Sequence, residues 1–195
     1  NDQYAGLYAV AESVDKRFLK RFEGLDADGF LFEYKWTNEW RFEHRGDALE
    51  PYQALFSAQT HEKDAISVLY APIETLVRIA NTSVDFRNEI TEYLDVPACL
   101  KFLAAEAFIS EIDGLMGYAG MNNFYLYRTP SRMEFKFIAW DKDNTFHAPD
   151  HSVFHQTGNN VLTRRILEFP DYRADYAASV LGAASSADAP TGEST

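Results

Sequence analysis

Alternation of apolar and polar positions predicts β-structure in two parts of the chain. Residues 4–14 and 30–36 alternate in this way, so each is predicted to be a strand, and the two together form a small antiparallel sheet. Residues 123–129 and 133–140 alternate around Pro130 and Ser131, which are typical turn residues. This second pattern predicts a central β-hairpin.

Helical patterns fill most of the remaining chain. They cover a short segment capped by Asp15, three longer segments before the hairpin and one segment after it, namely residues 16–22, 61–81, 84–94, 96–112 and 160–181. Pro97 stands in the first turn of the fourth pattern, and Pro170 interrupts the last one. Residues 37–52 are charged and aromatic without a clear period, which indicates an irregular segment.

The order sheet, helices, hairpin, helix predicts one α+β domain over residues 1–181, with a helical lobe beside the small antiparallel sheet. Residues 182–195 are small, polar and of low complexity, and we expect a linker or tail there. The loop over residues 147–158 lies beyond the hairpin and can close over a site at its end.

Composition narrows the function classes. The chain has 195 residues, of which 46% are hydrophobic, so we expect one sizeable core. Its net charge of −12 argues against a general nucleic-acid or anionic-membrane surface. No apolar run reaches the ~20 residues of a membrane-spanning helix, so we expect no membrane insertion in this sequence. Cys99 is the single cysteine, which excludes an internal disulfide. Because the sequence begins at Asn1 without methionine, the absence of a signal peptide leaves the compartment open.

Polar residues stand where the strands of the hairpin stop. Asp113 and the pair Asn122 and Asn123 precede the first strand, and Asp141 and Asp143 follow the second. Carboxylate and amide oxygens form the hard-oxygen set that Mg²⁺ prefers. A carboxylate left off the metal can accept a proton from a hydroxyl nucleophile. Together these are the parts needed for phosphoryl transfer.

Lys35 lies between Tyr34 and Trp36 in an apolar strand pattern. If its side chain points inward it needs an anion, and if it points outward it is an ordinary surface lysine. Glu12, near the end of the first predicted strand, has the same two interpretations. We expect these two residues to form an ion pair between strands.

Several other motifs are excluded. An EF-hand counted from Asp141 needs Gly at its sixth and Glu at its twelfth position, where this chain has Phe146 and Ser152. The spacing of His147, His151 and His155 would suit a zinc-binding helix face, but Pro149 argues against a continuous helix. The chain has no GxxxxGK[ST] motif and no GxSxG motif, which excludes a P-loop NTPase and a nucleophile-elbow hydrolase.

Four segments resemble, in the same order, the CotH family of atypical protein kinases, the spore-coat kinases. They are YAGLYAVAESVDKRFL, FEYKW, LDVPACLKFLAAEAFISEIDG with NNFYLYR after it, and FKFIAWDKDNTF. A further segment, LTRRILEFPDYRADY, is similar to the family's closing helix, so the resemblance runs from residue 4 to residue 181. It begins near the family's second strand, which implies that the strands preceding it in the family lie outside this sequence.

The resemblance implies a reduced kinase-like fold that binds ATP with Mg²⁺ or Mn²⁺ and phosphorylates Ser residues of a protein substrate. By position, Asp113 corresponds to the family's catalytic aspartate, and Asp141 with Asp143 to its metal-binding WDxD motif. Lys35 stands on the family's lysine strand as a phosphate ligand, with Glu12 as its partner. Asn122 and Asn123 join them as candidate cofactor ligands, with Asn123 favoured because it leads directly into the strand.

Two departures from the family pattern leave alternatives open. Glu111 stands where the family usually has Asn, and His147 where it commonly has Gly. The first alternative is a catalytically weak kinase-like module kept for binding, for example at a cell envelope. The second is a carboxylate-based glycosidase that uses Asp113 with Asp141 or Asp143 as acid and base, in which Lys35 has no clear role.

Overall fold

A computed structural model describes residues 11–188 apart from Glu23 and Asn38. Within this range the chain forms seven helices and four strands. The helices are α1 (Lys16–Arg21), α2 (Glu50–Leu55), α3 (Ile66–Thr82), α4 (Phe86–Tyr93), α5 (Val96–Phe108), α6 (Val161–Leu167) and α7 (Pro170–Asp188). The strands are β1 (Phe30–Tyr34), β2 (Phe56–Ala58), β3 (Phe124–Arg128) and β4 (Phe135–Ala139). The α+β class is therefore confirmed.

The four strands form one antiparallel sheet in the order β2-β1-β3-β4. The predicted hairpin is present as β3 and β4, and it pairs with β1. The short strand β2 was not predicted, because it follows the segment in which the hydrophobic pattern has no period. The predicted strand over residues 4–14 lies largely outside the described residues, and residues 11–14 are not a strand.

Antiparallel pairing brings three strand ends to one edge of the sheet. Glu33 on β1 is opposite Tyr125 on β3, and Phe124 on β3 is opposite Ala139 on β4. The end of β1, the start of β3 and the end of β4 therefore lie side by side. Three chain segments meet the sheet at this edge. One leaves β1 at Lys35, one enters β3 from Asn123, and one leaves β4 at Trp140.

Side-chain caps explain where two helices start. The Asp15 carboxylate accepts hydrogen bonds from the backbone N–H groups of Arg17 and Phe18, as predicted for an N-cap. Asp95 caps α5, and Pro97 stands in its first turn as predicted. The helix ends at Phe108, earlier than the predicted residue 112, so Asp113 lies in a loop beyond the helix.

Both faces of the hairpin are covered. On one face Phe124 and Leu126 pack into the main core with the helices, while on the other Tyr125 and Tyr127 pack with Leu31. Every residue of β3 is buried, which explains why four of its five residues are aromatic or apolar and none faces solvent. The hairpin is therefore held rigidly from two sides.

The C-terminal part differs from the sequence prediction at its end. The break at Pro170 is confirmed, because α6 stops at Leu167 and α7 begins at Pro170. However, α7 continues to Asp188, so residues 182–188 of the predicted tail are helical. Alanine supports a helix even in a low-complexity segment. Residues 189–195 lie outside the described residues. In the described part of the chain, every helix is too short or too polar to cross a bilayer.

A glycine substitution tests the packing of the hairpin. A Cβ at Gly29 would overlap the ring of Tyr127, whose side chain is fully buried. We expect Gly29→Ala to lower the free energy of unfolding by about 1–3 kcal/mol, because the rigid ring has no room to move. At Gly158 a Cβ meets nothing, so Gly158→Ala should stay within about 0.5 kcal/mol of the wild type. Urea denaturation measures both variants, and equal effects would contradict the packing described here.

Candidate functional site

A cavity of about 360 Å³ opens at the edge where the three strand ends meet. Its volume lies in the range of about 300–1,000 Å³ that is usual for small-molecule sites. The lining combines aromatic side chains with a lysine, a carboxylate and two amides, and it consists of Glu33, Tyr34, Lys35, Trp36, Asn122, Asn123, Phe124, Trp140 and Asp141. Four of the sequence-predicted site residues, Lys35, Asn122, Asn123 and Asp141, thus share one cavity.

Two of these residues have a left-handed backbone. Asn123 has a φ of 56° and Asp141 a φ of 48°, at the start of β3 and just after β4. The Trp140 N–H donates to the Asn123 carbonyl at 3.2 Å, so the two residues are neighbours across the hairpin. Asn and Asp tolerate this conformation better than most residues, and such strain is often found at functional sites.

The carboxylate of Asp113 is held by two amides. Asn122 Nδ2 lies 3.2 Å from each of its oxygens, and Asn123 Nδ2 lies 3.1 Å from Oδ2. The Asn122 backbone N–H donates to the Gly114 carbonyl at 2.9 Å, which closes the loop that carries these residues. Both amides therefore bond to the partly buried Asp113 and connect it to the wall of the cavity.

Asp143 lies on a segment that packs against the Asp113 loop. The Ile112 N–H donates to the Asn144 carbonyl at 3.2 Å, and the Phe146 N–H donates to the Ile109 carbonyl at 2.6 Å. We call residues 109–117 the Asp113 loop and residues 141–146 the acidic segment. These two hydrogen bonds fix the two segments side by side.

The carboxylates of Asp113, Asp141 and Asp143 do not form one tight cluster. Across residues 11–188, apart from the two undescribed positions, the one group of three metal-ligating side chains within 4.8 Å of one another is His44, Asp47 and Glu74. Asp113 accepts hydrogen bonds from the amide groups of the two asparagines.

The His44 group has its own internal counter-charge. His44 Nε2 lies 3.1 Å from Glu74 Oε1, and Arg78 Nε donates to the same oxygen at 3.0 Å. The guanidinium already neutralises this buried glutamate, so the contacts are those of an ion-pair network.

The expected ion pair between Glu12 and Lys35 is not formed. Lys35 Nζ lies 2.6 Å from the carboxylate of Glu33, two residues earlier on the same side of the strand. Glu12 is paired with Arg21 at the end of α1. Glu12 and Lys35 differ from the prediction for the same physical reason. Each side chain pairs with an opposite charge that is close in sequence, so neither needs a partner from a distant strand.

Glu111 lies two residues before Asp113 and contacts its backbone. Its Oε1 accepts the backbone N–H of Asp113 at 2.7 Å, while its Oε2 is buried and has no hydrogen-bond partner among the described residues. Burial raises the pKa of Glu111, and the nearby carboxylates of Asp113 and Asp143 add to that rise, whereas Lys142 opposes it. Glu111 therefore orients the loop backbone through one oxygen.

Three histidines after the hairpin approach one another although they are not on a helix. The ring centroids of His147 and His151 are 6.1 Å apart, and those of His151 and His155 are 4.5 Å apart. Burial, together with the other two histidines, lowers the pKa of His155. Residues 147–155 contain no helix, as the position of Pro149 predicts.

Sequence reasoning missed two residues next to the site, Glu106 on α5 and Lys142 between the two aspartates. Lys142 Nζ lies 2.5 Å from Glu106 Oε1, and both side chains are largely buried. A glutamate within the apolar run LAAEAF was the available signal, because a buried acid needs a specific partner.

Comparison with known proteins gives two matches. Residues 1–183 match the family model described as CotH kinase protein. The chain is also 27% identical over 184 residues to the inner spore coat protein H of Bacillus subtilis (strain 168). This alignment covers 90% of the chain and 49% of that protein, so the chain spans about half the length of the curated relative it matches.

The environment of Glu111 gives a pH-dependent prediction. Above the ordinary glutamate pKa of 4.5 the unfolded chain loses this proton, whereas the folded protein keeps it until the raised pKa is reached. Wild-type stability therefore falls over that pH interval, and Glu111→Gln removes the loss. We expect the variant to gain up to about 1–3 kcal/mol over the wild type between pH 4.5 and neutral pH, the range for a buried polar group without a partner.

Thermal unfolding at several pH values without divalent ions measures this gain. Glu62→Gln, at an exposed glutamate, is the control and should show no pH-dependent difference. A constant offset between Glu111→Gln and the wild type across the pH range would contradict the prediction.

Proposed function

Because the chain belongs to the CotH kinase family, we propose that it is an atypical protein kinase with a reduced kinase-like fold. It transfers the γ-phosphoryl group of ATP to Ser residues of a protein substrate and needs Mg²⁺ or Mn²⁺. The observation that carries the proposal is the hydrogen-bonded set of Asp113, Asn122 and Asn123 at a cavity that also contains Lys35 and Asp141. This combination supplies the residue types that phosphoryl transfer requires.

The acidic segment offers a donor set that fits a hard divalent cation. Asp141 and Asp143 are exposed, and no ion pair with a described residue occupies either carboxylate. Lys142 between them is directed to Glu106, so its ammonium does not neutralise its neighbours. Carboxylate oxygens together with the amide oxygen of Asn123 match the ligand preference of Mg²⁺. A bound cation would neutralise charge on the phosphate oxygens.

Asp113 is the residue proposed to act on the acceptor. Its carboxylate orients the Ser hydroxyl and takes up its proton as the hydroxyl oxygen attacks the γ-phosphorus and the bond from that phosphorus to ADP breaks. The amides of Asn122 and Asn123 hold the Asp113 carboxylate in one orientation. The Glu111 carboxylate accepts the backbone N–H of Asp113 and so fixes its main chain. Holding the carboxylate in this way reduces the reorganisation needed during the reaction.

Lys35 is proposed to hold the phosphates. Its side chain lines the cavity and is about half exposed, with Glu33 as its partner. A flexible ammonium directly after the end of β1 can move from Glu33 to a phosphate oxygen, which carries more negative charge. Trp36 and Trp140 place aromatic surface in the same cavity.

A binding module is the second candidate, and Glu111 is the observation that favours it. Its carboxyl group is buried close to Asp113 and Asp143, at a position where the family usually has Asn, in a site that must also accept the phosphates of ATP. Nucleotide binding without transfer to any acceptor would support this candidate over the kinase.

Substitution of the aspartates tests the kinase assignment. We expect Asp113→Asn to lower kcat by about 10²–10⁴-fold, the usual contribution of a general base, with little change in nucleotide affinity. Asp141→Asn should instead abolish metal-dependent nucleotide binding. Asp28→Asn is the matched control, because Asp28 lies before the start of β1, at the end opposite the cavity.

The measurement is transfer of labelled phosphate from ATP to a Ser-rich protein acceptor with Mg²⁺ or Mn²⁺. The kinase assignment is wrong if Asp113→Asn transfers phosphate at the wild-type rate, or if transfer proceeds equally well with chelator present. We expect the acceptor to lose its label with both Asp113→Asn and Asp141→Asn and to keep it with Asp28→Asn.

The role of Lys35 is tested separately. Lys35→Met should raise KM for ATP by about 10–100-fold, since a hydrogen bond to a charged group contributes about 1.5–3 kcal/mol. Lys63→Met removes an exposed lysine away from the cavity and should leave KM unchanged. An unchanged KM in Lys35→Met would contradict a phosphate contact from this residue.

A further inference from the structure

Glu106 on α5 contacts both segments that carry the candidate site residues. Its side chain is almost completely buried, and the residue is 4% exposed. The two carboxylate oxygens accept the backbone N–H of Leu115 at 3.2 and 3.0 Å, and Oε1 also accepts from Lys142 Nζ at 2.5 Å. One buried carboxylate is thus bonded to the Asp113 loop and to the acidic segment.

The Asp113 loop lies directly on this carboxylate. A Cβ at Gly114 would overlap the Glu106 carboxyl group, so only glycine permits this approach. Gly114 follows Asp113 in the chain, and its carbonyl accepts the N–H of Asn122. The position of the Glu106 carboxylate therefore sets the position of the turn that presents Asp113.

Lys142 makes the second connection. Its side chain is 16% exposed and passes inward, with Nζ 5.6 Å from the centroid of the Phe102 ring. Asp141 and Asp143 on either side of it are exposed. Because Lys142 is drawn into the protein, its two neighbours are turned outward.

Burial makes the ion pair between Glu106 and Lys142 hard to break. Burial raises the pKa of Glu106, and the ammonium of Lys142 opposes that rise. Taking either charge away leaves the other buried without a partner, which is strongly unfavourable. The two segments are therefore held to α5 by one pair of charges, and moving one segment disturbs the other.

We propose that Glu106 is a positioning residue that fixes Asp113 and the Asp141–Asp143 pair relative to each other, through Leu115 on one side and Lys142 on the other. This inference rests on the proposed function, because it assigns the two segments to one phosphoryl-transfer site. Glu106 does not touch the substrate. Its effect is on geometry, and a displacement of about 1 Å at a reacting group can cost about 10²-fold in rate.

The kinetic test compares Glu106→Gln and Lys142→Met with the wild type. Each is expected to lower kcat by about 10–100-fold, with KM for ATP changed less than about threefold, because positioning affects the reaction more than binding. The double variant should lose no more than the worse single variant, since both act through one contact. Lys142→Arg keeps the charge and should restore most of the activity.

Glu74→Gln is the matched control. Glu74 is also a buried glutamate paired with a cation, Arg78, but it lies on α3 and contacts neither segment. It should lose stability with kcat per folded molecule unchanged. If Glu106→Gln and Lys142→Met behave like Glu74→Gln, the positioning role is overturned.

Hydrogen exchange gives a readout that does not depend on activity. Glu106→Gln should speed amide exchange in residues 141–146, and Lys142→Met should speed it in residues 113–117, at a temperature where both variants are folded. Unchanged exchange in the distant segment overturns the inference. If the wild type transfers no phosphate, the proposed function fails, and the exchange experiment alone then decides whether Glu106 links the two segments.

Discussion

The antiparallel pairing of β1 with β3, and of β3 with β4, is the constraint from which the site follows. It places the end of β1 and the end of β4 on either side of the start of β3. Lys35, Asn123 and Asp141 then meet at one edge although they are far apart in sequence. Because β3 is buried along its whole length, a shift of register would expose aromatic side chains on two faces at once. The packing of the sheet thus fixes the arrangement of the polar residues at its edge.

The Asp113 loop depends on the same edge and on α5. The amides of Asn122 and Asn123, which lead into β3, reach back to the Asp113 carboxylate. On the other side Glu106 on α5 accepts the backbone N–H of Leu115, while Glu111 accepts the backbone N–H of Asp113 within the loop itself. The loop is therefore bonded to the sheet through side-chain amides and to the helix through the Glu106 carboxylate. A loop without regular structure is ordered in this way because its polar backbone groups have partners.

The sequence predicted the structure best where a feature depends on residues that are close together in the chain. The hairpin follows from alternation around Pro130 and Ser131, and the starts of α1 and α5 follow from Asp15 and Pro97. Bringing Asn122 and Asn123 to Asp113 was also predictable, because all three lie between the same helix and strand. Pairing of β1 with the hairpin needs residues about a hundred positions apart, and no local pattern contains that information.

Charged residues were the least predictable. A Glu12–Lys35 pair required a contact between strands, whereas Glu33 and Arg21 offered partners nearer in sequence. The importance of Glu106 was hidden for a related reason. Its contacts with Leu115 and Lys142 form only when the two loops fold onto α5, so the sequence pattern around Glu106 does not indicate them.

The acids around the site fall into two groups according to their partners. Glu106 and Asp113 receive hydrogen bonds from lysine, backbone and amide donors, so the protein itself satisfies them. Asp141 and Asp143 are exposed, and in the described part of the chain no basic side chain pairs with them. In a chain of net charge −12, a lysine placed directly between these two could have neutralised them, yet Lys142 is committed to Glu106. The buried ion pair thus has two consequences: it holds the acidic segment in place, and it keeps the segment's carboxylates available for a cationic ligand.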